Sequence, residues 1–428
     1  MLYKRIFVAL DGSRHSDLAR DAALLLAEKS SDVHLIGCHA YAANLHRARF
    51  GDMEPGLPEG YSGEGLVNLR RTHEGLIGEG LRLISDSYLE PLVKEATDKG
   101  IEYECATPEG RNYIQILRSA KERKANLLIM GAQGQGQAEG LGSTAERVLL
   151  YSQGLDVLLM RSPWSNVGRS ILVGIDGSNS SYYAVMRAVE LAKAFNAQIE
   201  AVAVYDPFFH SMVFKSISTS LPKKAKERFD LSAQEKIHDD LIDEGLKRLY
   251  SDGLKRGVRL ADAEGIKARS EVLAGKVCNQ IQDFVTKRDI SLIVLGRWGL
   301  HREQESMIGS NALRLARSST ANVLIVSPED TSDSLSQISE RISEAGSNMD
   351  IDRSVSAGAT NGNRLPDAEI IMLHKIKRFA PDFHRHMLRG KMQGSVVKAG
   401  DKILIYEIDE TVPAGSVMVT ERTRLEVR

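Results

Sequence analysis

Ile6-Phe7-Val8-Ala9-Leu10-Asp11-Gly12-Ser13 has a near copy later in this chain, Ile171-Leu172-Val173-Gly174-Ile175-Asp176-Gly177-Ser178. A second pair, Leu128-Ile129-Met130-Gly131-Ala132-Gln133-Gly134 and Ile293-Val294-Leu295-Gly296-Arg297-Trp298-Gly299, keeps the same offset. Self-similarity at a fixed offset signals a duplicated unit rather than two chance motifs. Each unit places an aspartate after one short apolar run and a glycine pair after a later one. Such runs, bounded by turn residues, read as strands buried on both faces, as in a parallel sheet covered by helices.

From these anchors the pattern extends in both directions. In the first copy Ser16 caps a helix over Asp17 to Lys29, where Leu18, Ala22, Leu25 and Leu26 recur at helical spacing. Strands at Val33 to Cys38, near Tyr103, at Leu127 to Met130 and at Val157 to Met160 alternate with helices over Leu69 to Lys99, Ile114 to Arg123 and from Ser143. The second copy repeats the order with Ile171 to Ile175, a helix over Ser180 to Phe195, Ile199 to Val204, a long helix from about Ser232, Leu292 to Leu295 and Val323 to Val326. The alternation predicts an α/β protein of two tandem open five-stranded parallel sheets with helices on both faces, whose ligands bind beyond the strand C-termini.

The expected domains are 1–163 and 168–328, then a flexible acidic linker at 329–364 and a small helix-plus-β module at 365–428. Ala42 to Leu66 and Asp206 to Asp230 occupy equivalent places in the copies and are expected to cover the sites as flaps. In the C-terminal module His374, His384 and His386 read as solvated surface histidines within a basic stretch.

Composition narrows the partners. With 56 Lys and Arg against 57 Asp and Glu the net charge is -1, so no global field draws the protein to nucleic acid or an anionic membrane. Cys38, Cys105 and Cys278 are few and far apart, which argues against a disulfide framework or a paired-cysteine zinc site. The N-terminus lacks the apolar core of a signal peptide and no apolar run approaches membrane-spanning length, so the expected address is cytoplasmic.

The sharpest motif is Gly296-x2-Gly299-x9-Gly309-Ser310. Glycines after a strand let backbone N–H groups approach an anion, and Gly309-Ser310-Asn311 opens a helix whose N-terminus adds free donors and the positive end of a dipole. Asp176 beside it can accept hydrogen bonds from a ribose or an adenine edge, which suggests a nucleotide rather than inorganic phosphate. The competing reading is that the glycines only make turns and cap the helix.

Both copies resemble domains of the universal stress protein family, and together they cover about three quarters of the chain. That resemblance implies an adenine nucleotide alpha hydrolase-like fold and the pattern G-x2-G-x9-G-[S/T] after the fourth strand, which the second copy matches throughout. It implies that Asp176 and the backbone of Val204 contact adenosine while Gly296, Gly299, Gly309, Ser310 and Asn311 hold the phosphates. It also implies pairing of the two domains through their final strands within one chain, with further homodimerisation open. The first copy departs from the pattern: only seven residues separate Gly134 from Gly142. Its weaker site would use Asp11, Gly131, Gly134, Gly142, Ser143 and Thr144, with Glu139 adding negative charge near a phosphate.

No residue set reads as dedicated catalytic machinery. Gly275-Lys276 is followed by Val277 and lacks the Ser or Thr of a Walker loop. The function expected is an ATP-binding stress-response regulator, with ATP, and Mg2+ accompanying it, as cofactor. Nucleotide would control conformation or a protein partner engaged through the C-terminal module. The rival readings are a slow ATPase or nucleotide-dependent transferase, and a nucleotide-free scaffold.

Overall fold

The computed structural model describes residues 3–30, 32–53, 56, 63–136, 140–164, 170–230, 243–300, 307–327, 417–419 and 424–426. The chain divides into two compact units, Met1–Met349 and Asp350–Arg428. In the first unit β1 (Arg5–Ala9), β2 (His34–Cys38), β3 (Glu102–Ala106), β4 (Leu127–Gly131) and β5 (Asp156–Met160) form one half. The other half is β6 (Ser170–Gly174), β7 (Gln198–Tyr205), β8 (Ala268–Ala274), β9 (Leu292–Gly296) and β10 (Asn322–Val326).

The two five-stranded parallel sheets are joined edge to edge. Strand order is β3-β2-β1-β4-β5-β10-β9-β6-β7-β8, and β10 pairs antiparallel with β5, setting Val323 opposite Leu159 and Ile325 opposite Val157. Unpaired apolar edges invite another strand; here each copy's final strand covers the other's. In each half the chain order reverses beside the first strand, between β1 and β4 and between β6 and β9. Ligands of open α/β sheets bind at such a switch point.

Alternation along each strand splits the core between the two faces of the sheet. Ile6 and Val8 join α1 (Arg14–Glu28), α6 (Asn179–Phe195), Ile171 and Val173 in one cluster. Phe7 and Leu128 join α5 (Ser143–Tyr151), Leu172, Ile293 and Val323 in the other. Both clusters cross the β5–β10 seam, so neither half has a core of its own. At that seam the buried Asp156 carboxylate accepts from Tyr3 Oη at 2.8 Å, Arg187 Nε at 3.1 Å and the Ser327 amide at 2.8 Å.

Several elements differ from the sequence reading. The cap of α1 is Ser13, whose Oγ accepts from the Ser16 amide; Ser16 lies inside the helix and its Oγ donates back to Ser13 O. The 42–66 and 206–230 segments contain helices: α2 (Ala43–Met53), the start of α3 (Gly63–Asp98), α7 (Pro207–Ser220) and α8 (Lys223–Arg228). The long helix expected from about Ser232 is described as α9 (Asp243–Ala263), and 231–242 lie outside the described residues. The remaining helices among the described residues are α4 (Asn112–Glu122), α10 (Val277–Arg288) and α11 (Ser310–Ser318). In the second unit, β11 (Val417–Val419) pairs antiparallel with β12 (Arg424–Glu426). The expected linker and the three histidines lie outside the described residues.

Candidate functional site

In each half Asp-Gly-Ser follows shortly after the first strand, where the chain must turn sharply into a helix. Gly12 and Gly177 hold φ of +71° and +86°, a left-handed conformation that side chains with a Cβ disfavour. The turn frees the aspartate to brace two loops. Asp176 Oδ1 accepts from the Ser178 amide at 3.0 Å, and Oδ2 accepts from the Leu300 amide at 2.9 Å. The glycine loop after β9 is further fixed by Ser178 Oγ donating to Trp298 O and by the Trp298 amide donating to Ser180 Oγ, each at 3.3 Å.

The glycines make room. A Cβ on Gly296 would lie 2.5 Å from the Ser180 backbone, and one on Gly299 would lie 2.9 Å from Asp176 Oδ2. Gly309 is the N-cap of α11; its amide donates to Arg297 O at 2.8 Å and it supplies no side-chain cap. The first amides of a helix have no intrahelical acceptor, and with the helix dipole they make an anion-binding end. Asp176, Val204, Gly296, Gly299, Gly309, Ser310 and Asn311 all line one cavity of about 320 Å³. Tyr250, Val277, Ile281, Trp298 and Leu300 also line it, and none of them was read from the sequence as a site residue. Burial, then the Asp176 charge, push the Tyr250 phenol up, so it remains a neutral donor and acceptor at physiological pH.

The first half forms a cavity of about 330 Å³ that brings together Asp11, Gly131, Gly134, Gly142, Ser143 and Thr144. Asp11 Oδ1 accepts from the Ser13 amide at 3.0 Å, as Asp176 does from Ser178. The lining is more polar. Asn112 stands where the second half has Val277, Gln133 where it has Trp298, and Gln135 where it has Leu300. Gln135 Nε2 donates to Asp11 O at 2.6 Å and to Tyr88 Oη at 2.8 Å, tying the loop to α3. His39 also lines this cavity, with Nδ1 2.8 Å from Ser85 Oγ and its ring edge-on to Tyr88. Burial pulls the His39 imidazole below the ordinary histidine value of 6.5, against the opposing pull of Asp11. Glu139 lies outside the described residues.

A model of the universal stress protein family matches the chain twice, at residues 2–161 and 168–327. The chain belongs to the universal stress protein family. A universal stress protein of Methanocaldococcus jannaschii is 29% identical over 163 residues, covering 38% of this chain and 83% of that protein. Universal stress protein YxiE of Bacillus subtilis is 30% identical over 156 residues, covering 36% of this chain and 97% of that protein. A crystal structure of a universal stress protein from Archaeoglobus fulgidus aligns over 76% of this chain and 98% of its own, with 15% identity and a TM-score of 0.47.

This tandem universal stress protein therefore presents two versions of one frame. The second has a mostly apolar cleft beside a carboxylate and a helix N-terminus; the first has amides and an imidazole around the same parts. Among the described residues no group of three or more His, Cys, Asp or Glu side chains is disposed to hold a metal ion, and no helix is long and apolar enough to cross a membrane.

Proposed function

We propose that the chain is an ATP-binding regulatory protein of the stress-protein type, with its principal nucleotide site in the second half. The supporting observation is the convergence, in one cavity at a sheet switch point, of the Asp176 carboxylate, the Gly296 and Gly299 backbone and the first turn of α11. The apolar walls of Val204, Val277 and Ile281 suit the faces of a purine. Asp176 has lone pairs left after serving Ser178 and Leu300, and these accept from ribose hydroxyls. The amides of Ser310 and Asn311 donate to phosphate oxygens, and the glycines exclude any Cβ from the space those oxygens need. Magnesium in this reading is held by the phosphates. The first cavity takes the same ligand more weakly, since Gln135 must release Asp11 O and Tyr88 Oη for the loop to move.

The mechanism is binding rather than turnover. Occupancy fixes the glycine loop against α11 and α9, and the resulting bias toward one conformation equals the ligand's difference in affinity between the two. A protein partner then reads that conformation. The experiment is to purify the full chain, denature it and identify released small molecules by mass spectrometry. ATP or ADP at about one per chain is expected; a non-nucleotide ligand at that stoichiometry would overturn the reading.

A further inference from the structure

Arg297 stands between the two glycines of the second loop, yet its side chain is fully shielded from solvent, at 0% exposure. A guanidinium stays charged in a protein, so burial demands that acceptors replace its lost water. Arg297 finds most of them in the other half of the molecule. Nη2 donates to Leu149 O at 2.6 Å and Leu150 O at 2.9 Å, and Nη1 donates to Ser152 Oγ at 3.1 Å. Leu149 and Leu150 lie in the last turn of α5 and Ser152 is its C-cap. Such carbonyls lack intrahelical donors, and the helix dipole puts its negative end there, so the cation completes α5 on both counts.

The opposite end of α5, at Gly142-Ser143-Thr144, lines the first cavity. The helix has nine residues and so spans only about 13 Å. The main chain of Arg297, meanwhile, shapes the second cavity. Its amide donates to Val326 O and its carbonyl accepts from the amide of Gly309, the α11 N-cap, both at 2.8 Å. One residue thus holds the start of the second site's helix with its backbone and the end of the first site's helix with its side chain. In the first half Ala132 occupies this position, and its methyl group has no donor to return the contact. The reverse tie comes from Arg161, beyond β5, whose Nη2 donates to Ala316 O in α11.

The geometry points to Arg297 as a positioning residue that couples the two cavities, so that a ligand fixing the second glycine loop also fixes α5 and tightens binding in the first. This rests on the reading of both cavities as nucleotide sites. Arg297 does not line either cavity; it acts through α5. Coupling free energies are reciprocal, and a factor of about five or more in affinity is ordinary for such a link.

The experiment is hydrogen exchange of the α5 amides, followed by mass spectrometry on the full chain carrying Gly134→Val. That substitution fills the first cavity, so saturating ATP reports from the second alone. Calorimetry on the same variant establishes occupancy. ATP is expected to slow α5 exchange about fivefold or more, as a helix clamped from a distance opens less often. Arg297 Nε also donates to Met307 O at 2.8 Å; with Arg297→Lys added, one ammonium cannot serve Leu149, Leu150, Ser152 and Met307 together, and the slowing is expected to vanish. Ser152→Ala removes one acceptor outside both cavities, spares the fold, and is expected to cut the slowing by about half or more. Equal slowing in both added variants, or none in Gly134→Val with ATP bound, would overturn the coupling. No calorimetric binding to Gly134→Val would instead overturn the nucleotide reading beneath it.

Discussion

Asp176 and Asp11 show how one carboxylate can close a turn and line a cavity at once. Each accepts from the amide two residues on, closing the turn out of the first strand, and Asp176 also anchors Leu300 at the cavity mouth. The difference between the sites lies in their neighbours. His39, in the first cavity, is held neutral by burial, with its folded value below the usual 6.5. The unfolded chain then binds a proton that the folded chain refuses, so this contribution to stability is complete above 6.5 and is lost as pH falls through the folded value. His39→Gln should flatten the fall in stability as pH drops below about 6.5, measured by urea unfolding at each pH. A slope unchanged from wild type would contradict the assignment; His15, also depressed chiefly by burial, leaves some slope in either case.

Strands and helices follow the duplicated pattern where burial dictates sequence and depart from it where it does not. The central strands carry continuous apolar runs because both faces are covered. β8 lies at the sheet's edge, with exposed Arg269, Ser270 and Glu271, and so offers no apolar run to read. Ser13 and Ser16 form a reciprocal pair, and periodicity alone cannot tell which one begins α1. The glycines and aspartates of both cavities were legible because their chemistry is local. Tyr250, Asn112 and His39 were not, since only the fold brings α9, α4 and the end of β2 to the glycine loops. The role of Arg297 was least legible, because its partners are main-chain carbonyls of a distant helix that no side-chain pattern marks. The caps are testable individually. Ser178 Oγ accepts from the Ser181 amide at the start of α6 and donates to Trp298 O. Ser178→Ala should destabilise the chain by about 1 kcal/mol in urea unfolding, and a change within about 0.3 kcal/mol would mean that the cap contributes little.

The two copies are one folding body because they share a ten-stranded sheet and both hydrophobic clusters. Their seam is polar at one end, where Asp156 from the first half meets Arg187 and Ser327 from the second. Asp156 is only 5% exposed, so Asp156→Ala leaves a guanidinium and an amide facing an empty acceptor position. Breaking a buried pair from one side costs about 3 kcal/mol. Thermal unfolding of this variant should remain a single transition at lower temperature; separate transitions for the two halves would contradict a shared core. The same continuity gives the molecule a route by which one cavity influences the other.

The measurement that bears most directly on this account is calorimetric titration of the full chain with ATP, in wild type and in Gly299→Val. The added side chain would press on Asp176 Oδ2 and fill the space proposed for phosphate. Wild type should bind, and the variant should bind at least about 100-fold more weakly at the second site, a loss of about 2.7 kcal/mol, with its circular dichroism unchanged. Equal affinity in the two proteins, or no heat from wild type stripped of any bound nucleotide, would contradict it.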